Sequence, residues 1–256
     1  MSAPARSASA TSRDAWVLVT GGSRGIGAAT ARLMASRGWH VAVAYLRNEA
    51  AAERVADDVR SVGSEVLLHR CNLTKVEECR GLIDRIRADV GTLRGLVHCA
   101  GLGAPAPVLE TRPNRWRLAW ESHVAALVAL VSAARDMLQP GASIVAVSSL
   151  GAKRVMPGYG SIAAAKGALE VLVRYLAVEL ADRGINVNAV CGGPVDTDSL
   201  RSFPFFEAVE AECRRRPCGR LGVPDDLAKV IALLLDTDAA WIRGQVIVAD
   251  GGLSLV

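Results

Sequence analysis

The chain has 256 residues, 51% of them hydrophobic and 22% charged, with a formal net charge of +4. That length can bury one large core and fits a single domain. So small and interspersed a charge, with no basic stripe alternating with aromatics, excludes the common nucleic-acid binders. The six cysteines, Cys71, Cys79, Cys99, Cys191, Cys213 and Cys218, contain no Cys-x-x-Cys and no histidine stands at zinc spacing from them. They are expected to be reduced thiols in a cytoplasmic protein that holds no metal.

Residues 1–14 are mostly Ser, Ala and Arg without the apolar segment of a secretory signal, and are expected to form a disordered tail ahead of a domain spanning 15–256. No run reaches the eighteen or so apolar residues of a membrane helix, so no membrane partner is expected.

Residues 15–20 read as a strand that runs into Thr20-Gly21-Gly22-Ser23-Arg24-Gly25-Ile26-Gly27, and residues 28–37 have helix-forming composition up to Gly38. Strand, glycine turn and helix make the opening of a dinucleotide site, because a tight turn brings backbone N–H groups and a helix N-terminus up to a pyrophosphate. The spacing here is Gly-x3-Gly-x-Gly, from Gly21, Gly25 and Gly27. A second strand over 40–46 ends at Arg47, with no carboxylate before Glu49. An acidic residue at that place bonds the ribose 2′-hydroxyl of NAD, whereas arginine suits a 2′-phosphate, so Arg47 with Arg24 favours NADPH.

Helices are predicted over 49–61, 75–89, 114–137 and 225–235, with a further one from Tyr159 to about residue 182. Strands are predicted over 65–70, 93–98, 143–147, 185–190 and 245–249. Regular alternation of strand and helix with right-handed connections gives a single doubly wound (Rossmann) α/β domain: a seven-stranded parallel sheet with helices on both faces. Ligands of such sheets bind beyond the carboxyl ends of the strands. The chain places there Asn72-Leu73, His98-Cys99-Ala100-Gly101, Ser148-Ser149 and Gly192-Gly193-Pro194-Val195-Asp196-Thr197.

Tyr159 and Lys166 are seven residues apart in an alanine-rich run, about 20° apart around a helix axis and about 10 Å along it. They are predicted to share a face on which the ammonium lowers the phenol pKa. All three phenylalanines, Phe203, Phe205 and Phe206, fall in one short segment after Thr197. The cluster is either an apolar cover for a substrate or a surface packed on the body or on a second subunit. Arg214-Arg215-Arg216 follows, either solvated or facing an anionic partner.

Over nearly all of 15–256 the chain resembles the short-chain dehydrogenase/reductase family. The residues that carry this are Thr20-Gly21-x3-Gly25-x-Gly27, Cys99-Ala100-Gly101 where Asn-Ala-Gly is usual, Ser148-Ser149, Lys166 and Gly193-x3-Thr197. Most members have tyrosine four residues before the lysine, a position held here by Ile162. The seven-residue spacing is similar to that of the enoyl-acyl carrier protein reductases, and the stretches around Arg174-Tyr175-Leu176, Asp196-Thr197-Asp198 and Ile242-Arg243-Gly244 look like the NADPH-dependent type III group.

The resemblance implies reduction of a carbon–carbon double bond conjugated to a thioester on acyl carrier protein or coenzyme A, in fatty-acid or secondary-metabolite synthesis. It implies Tyr159 as oxyanion donor, Lys166 as partner of the ribose and tyrosine, and Ser149 at the place of the ketoreductase serine. The cofactor set it implies is Gly21, Ser23, Arg24, Gly25, Ile26, Gly27, Arg47, Asn72, Leu73, Cys99, Ala100, Gly101, Lys166, Gly193, Val195 and Thr197. Tyr159, Phe203, Phe205 and Phe206 would meet the substrate. His123 stands where many members keep a relay asparagine, and is either a proton shuttle or packed and neutral. Apolar residues on more than one face of the 114–137 helix, together with the resemblance, predict a homo-oligomer, expected to be a tetramer. The alternatives are a ketone reductase of the same fold and a non-catalytic NADPH-binding protein.

Overall fold

The computed structural model describes residues 15–255. The tail expected over 1–14 lies outside them. The elements begin with β1 (Trp16–Thr20), α1 (Gly25–Ser36), β2 (His40–Tyr45), α2 (Glu49–Ser61), β3 (Val66–Arg70), α3 (Val76–Val90) and β4 (Leu93–His98). They continue with α4 (Pro113–Trp120), α5 (Ala126–Ala134), β5 (Leu138–Ser149), α6 (Gly160–Glu179), β6 (Asn186–Gly192), α7 (Asp198–Arg201), α8 (Phe206–Arg215), α9 (Pro224–Leu235) and β7 (Val246–Ala249). The seven strands are parallel in the order β3-β2-β1-β4-β5-β6-β7. Strands buried on both faces are mostly apolar, which is why β1 and β2 read as near-continuous runs rather than alternating ones; β6 buries Asn186 and Asn188 as well, each bonded to a backbone carbonyl, Ala240 O and Ile242 O.

One face of the sheet is covered by α3, α5 and α6 through Leu82, Ile86, Leu127, Leu130, Leu169 and Val173. The other is covered by α1, α2 and α9 through Met34, Val55, Val59, Leu227 and Ile231. The chain leaves β1 towards β2 and β3 and returns to lay β4 on the opposite side of β1. The crevice between the diverging crossovers therefore opens above the ends of β1 and β4. No described helix is long and apolar enough to cross a membrane.

Three local expectations are corrected. The helix predicted over 114–137 is interrupted by a π-helical turn, Glu121–Ala125. The Ser122 hydroxyl bonds back to Leu118 O at 2.8 Å and accepts Leu102 N–H at 3.0 Å, competition that bends a helix out of register. Tyr159 is not inside the helix predicted to start with it, since α6 starts at Gly160 with Tyr159 as its N-cap, after Gly158 at φ +71 has turned the chain, although its carbonyl accepts the first helical bond from Ala163 N–H at 2.8 Å. The segment after Thr197 forms α7 and α8 rather than a plain loop, the first of them capped by Thr197 Oγ1 accepting Leu200 N–H at 3.3 Å.

Candidate active site

The glycine turn is explained by what crowds it. A Cβ at Gly21, where φ is +67, would press on the Ala100 backbone, and one at Gly27 would run into the Gly21 carbonyl. Helix α1 begins at Gly25, so the last two glycines of the motif lie in its first turn. Its N-terminus has neither a side-chain cap nor an acidic residue in that turn. The N–H groups and dipole there stay free for an anion, which fits a pyrophosphate.

Above the strand ends lies a cleft of about 780 Å³. All sixteen residues assigned to the cofactor from the sequence border it. Gly21, Ser23, Arg24, Gly25, Ile26 and Gly27 form one wall, Arg47, Asn72 and Leu73 the far end, Cys99, Ala100, Gly101 and Lys166 the floor, and Gly193, Val195 and Thr197 the opposite wall. Arg47 is exposed at the rim, where a 2′-phosphate would reach it, and Arg24 stands 4.0 Å from Asp198 across the cleft. Residues missed from the sequence include Tyr45, Asn48 and Thr74 at that end and Leu102, Gly103, Leu118, Met156 and Ile162 at the other. Tyr45 and Asn48 flank Arg47 at the end of β2 and were within reach of the strand prediction. Leu118 and Met156 carry no local signal, because only tertiary packing brings them to the cleft.

Lys166, Tyr159 and Ser149 all line this cleft. Lys166 is 6% exposed, its Nζ donates to Val147 O at 2.5 Å, and burial brings its pKa down to about 8. Tyr159 lays its ring over Gly151, where any Cβ would overlap it. Burial pushes the phenol pKa up, and Ser149, within hydrogen-bonding reach, pulls the other way. The expectation that Lys166 acidifies Tyr159 is corrected: the ammonium is turned to the backbone and takes no part in the shift. Ser149 Oγ accepts Gly151 N–H at 3.2 Å, which leaves its own proton for the phenol oxygen. Ile162 is buried against Gly103, so no hydroxyl stands at the position four residues before the lysine.

Both histidines near the floor are packed and neutral. His98 is fully buried, with Nδ1 3.1 Å from Thr20 Oγ1 and its pKa drawn by burial to about 3. Thr20 Oγ1 also accepts Ala100 N–H at 3.3 Å, so this hydroxyl ties the His98 ring to the turn that follows β4. His123 borders the cleft from the π-helical turn with its ring in the space beside Gly101, and burial holds its pKa well below 6.5. Burial also raises the Cys99 thiol to about 12, which makes it an inert wall.

The phenylalanines divide. Phe203 borders the cleft with its ring edge-on to Tyr159, centroids 6.2 Å apart, and Phe205 packs on Phe203 at 5.2 Å. Phe206 does not border the cleft; like Phe203 it packs against the apolar cluster of Leu200, Cys213 and Leu221, under the guanidinium of Arg201. Of the predicted substrate contacts, Tyr159 and Phe203 line the cleft, while Phe205 supports Phe203 and Phe206 does not line it. The arginines of 214–216 are paired with Glu210 and Glu212 on the exposed side of α8.

Comparison with known proteins agrees with this geometry. A family profile described as "Enoyl-(Acyl carrier protein) reductase" matches residues 21–254. The 1-cyclohexenylcarbonyl-CoA reductase of Streptomyces collinus is 35% identical, covering 93% of this chain and 86% of the relative. The acetoacetyl-CoA reductase of Shinella zoogloeoides is 31% identical, over 92% and 96%. A short chain dehydrogenase from Burkholderia cenocepacia J2315, solved in complex with NADP, superposes with a TM-score of 0.89 at 30% identity, over 94% and 98%. With its cleft, its glycine turn and a profile match running almost from end to end, the chain belongs to the short-chain dehydrogenase/reductase family, in the enoyl-(acyl carrier protein) reductase group of that profile.

Proposed function

We propose that the chain reduces the carbon–carbon double bond of an enoyl thioester. At the coarser level it is an oxidoreductase whose relatives in Streptomyces and Shinella are named for CoA thioesters, and its cofactor is NADPH, which supplies the hydride when bound. The observation that carries the finer reading is the exchange of roles between two positions. Ile162 closes the wall where a ketone reductase holds its hydroxyl, and Tyr159 supplies the only tyrosine hydroxyl at this end of the cleft. Hydride delivered to the β-carbon moves charge onto the thioester oxygen, further from the site of delivery, and an anchor three residues earlier in sequence suits that longer reach. Tyr159 donates its hydrogen bond to that oxygen, Ser149 holds the phenol in place, and Phe203 with Leu102, Leu118, Met156 and Ile162 keeps water from the acyl group. These side chains make a compact apolar chamber, consistent with a short or cyclic acyl group such as that named for the Streptomyces relative.

A second reading, ketone reduction, is favoured by one specific feature. Tyr159 precedes α6 and turns back to Ser149, so the long side chain recovers part of the displacement, and a serine–tyrosine pair can also protonate a carbonyl. Parallel NADPH oxidation with crotonyl-CoA, 1-cyclohexenylcarbonyl-CoA and acetoacetyl-CoA decides between them: enoyl substrates are expected to exceed the oxo substrate in kcat/KM by at least tenfold, and the reverse order overturns the proposal. The same reading includes a symmetric homo-oligomer, a tetramer, formed through the exposed Trp120, Val128, Val171, Tyr175 and Val178 of α4, α5 and α6.

A further inference from the structure

At the rim of the cleft on the Tyr159 side, residues 104–112 and 153–160 form a seam. Ala106 N–H donates to Gly158 O at 2.8 Å, and Val108 occupies the space where a Cβ at Gly160 would fall. On this seam Leu109 is 99% and Val155 98% exposed, a pair of bare aliphatic side chains beside the mouth of a substrate chamber. Arg112 caps the N-terminus of α4, Arg115 follows a turn later, and Arg154 adjoins Val155. Among the described residues none of these three guanidiniums has a carboxylate partner, and Arg154 is directed instead to the Ser254 carbonyl. Arg24, Arg201 and the 214–216 run, by contrast, each face an acid.

We propose that this seam binds the phosphorylated nucleotide end of coenzyme A, which makes a CoA thioester rather than a protein-bound one the substrate; the proposal rests on the thioester reading above. A purine needs a small apolar shelf, which Leu109 and Val155 provide, and phosphate oxygens match the planar fork of arginine. Met156, the next residue after Val155, already lines the chamber where the thioester must lie, so one ligand can span chamber and seam. The basic run of 214–216, the sequence feature suited to an acidic carrier protein, is paired with its own glutamates.

The test compares the same acyl group on coenzyme A and on N-acetylcysteamine, which keeps the thioester but lacks phosphates and adenine, using whichever acyl group the enzyme turns over. In Arg112→Glu/Arg115→Glu and in Arg154→Glu, KM for the CoA ester is expected to rise at least tenfold with kcat little changed, while kinetics on the N-acetylcysteamine ester and the NADPH Kd stay at wild-type values. Calorimetry with coenzyme A alone should show binding by the wild type that the variants lose and added salt weakens. Equal losses on both esters, no loss on either, or absence of coenzyme A binding overturns the proposal. Selective loss on acyl carrier protein substrates, with CoA esters unaffected, overturns it in favour of a protein carrier. A preference for oxo over enoyl substrates would sink the double-bond chemistry and leave this carrier assignment standing.

Discussion

Removing the Tyr159 hydroxyl tests the site most directly. Tyr159→Phe keeps the ring over Gly151 and its edge contact with Phe203, so fold and NADPH affinity should survive. Loss of one preorganised donor to a developing oxyanion costs about 10² to 10³ in kcat, or about 2.7–4 kcal/mol. Ser149→Ala acts through the same phenol. It removes the group that offsets burial at Tyr159, and a hydrogen bond to a group gaining charge is worth about 1.5–3 kcal/mol, so a loss of about ten- to a hundredfold is expected. Because Ser149 has no other route to the reaction, the double variant should be no slower than Tyr159→Phe by more than a few-fold, which is a coupling nearly as large as the Ser149 effect itself. The assay is NADPH consumption with a saturating enoyl-CoA, alongside NADPH Kd for each variant. If the two losses multiply, or if Tyr159→Phe stays within fivefold of wild type, the donor assignment fails and Ser149 is acting alone.

Arg47→Ala and Arg24→Ala should each reduce the NADPH-over-NADH preference, expected to exceed tenfold in the wild type, as measured by both Kd values; an unchanged ratio refutes the 2′-phosphate clamp. His98 stays neutral in the folded chain to about pH 3 against 6.5 for a free histidine, so stability should be lost as pH falls through that window; at about 1.36 kcal/mol per pH unit the loss is on the order of 5 kcal/mol, and a His98→Asn variant with an equally steep acid profile by chemical denaturation would refute it. Lys166→Met should gain stability below pH 8, where the buried ammonium is fully charged, with the gain closing between pH 8 and 10.5 as the unfolded-state lysine titrates, while turnover is lost; a variant less stable at pH 7 contradicts this sign. Light scattering at micromolar concentration should give a tetramer, and Val128→Arg with Val178→Arg should break it down; a monomeric wild type removes the assembly proposal.

The seven strands and the cofactor end could be read in advance, because both depend on short contiguous signals. Buried parallel strands are mostly apolar runs, and a glycine turn followed by a helix stays together in sequence and in space. The substrate end was less legible. Periodicity ran through Tyr159 without registering that Gly158 would stop the helix short of it, and the 114–137 pattern hid a π-helical turn whose cause, Ser122 meeting the Leu102 backbone, lies across a long-range contact. The phenylalanines looked like one substrate cover in sequence, yet only Phe203 borders the cleft, while Phe205 supports it and Phe206 packs against Leu200, Cys213 and Leu221.

The substitutions that set this chain apart, Cys99, His98, Ile162 and His123, all proved to be wall or packing. Together they could describe a nucleotide-binding fold that has lost its chemistry. The floor of the cleft argues otherwise. Lys166 is charged at neutral pH in a buried position, and the fall of its pKa from 10.5 to about 8 corresponds to a penalty on the order of 3 kcal/mol. A methionine would fill that space without the penalty, and random substitution readily finds such stabilising changes when no activity opposes them. Tyr159 is likewise held with its hydroxyl against Ser149 at a cost in desolvation, where phenylalanine would pack as well. Two strained polar groups converging on one end of a cleft that fits a nicotinamide cofactor are what a working reductase needs, and a passive nucleotide binder has no use for either.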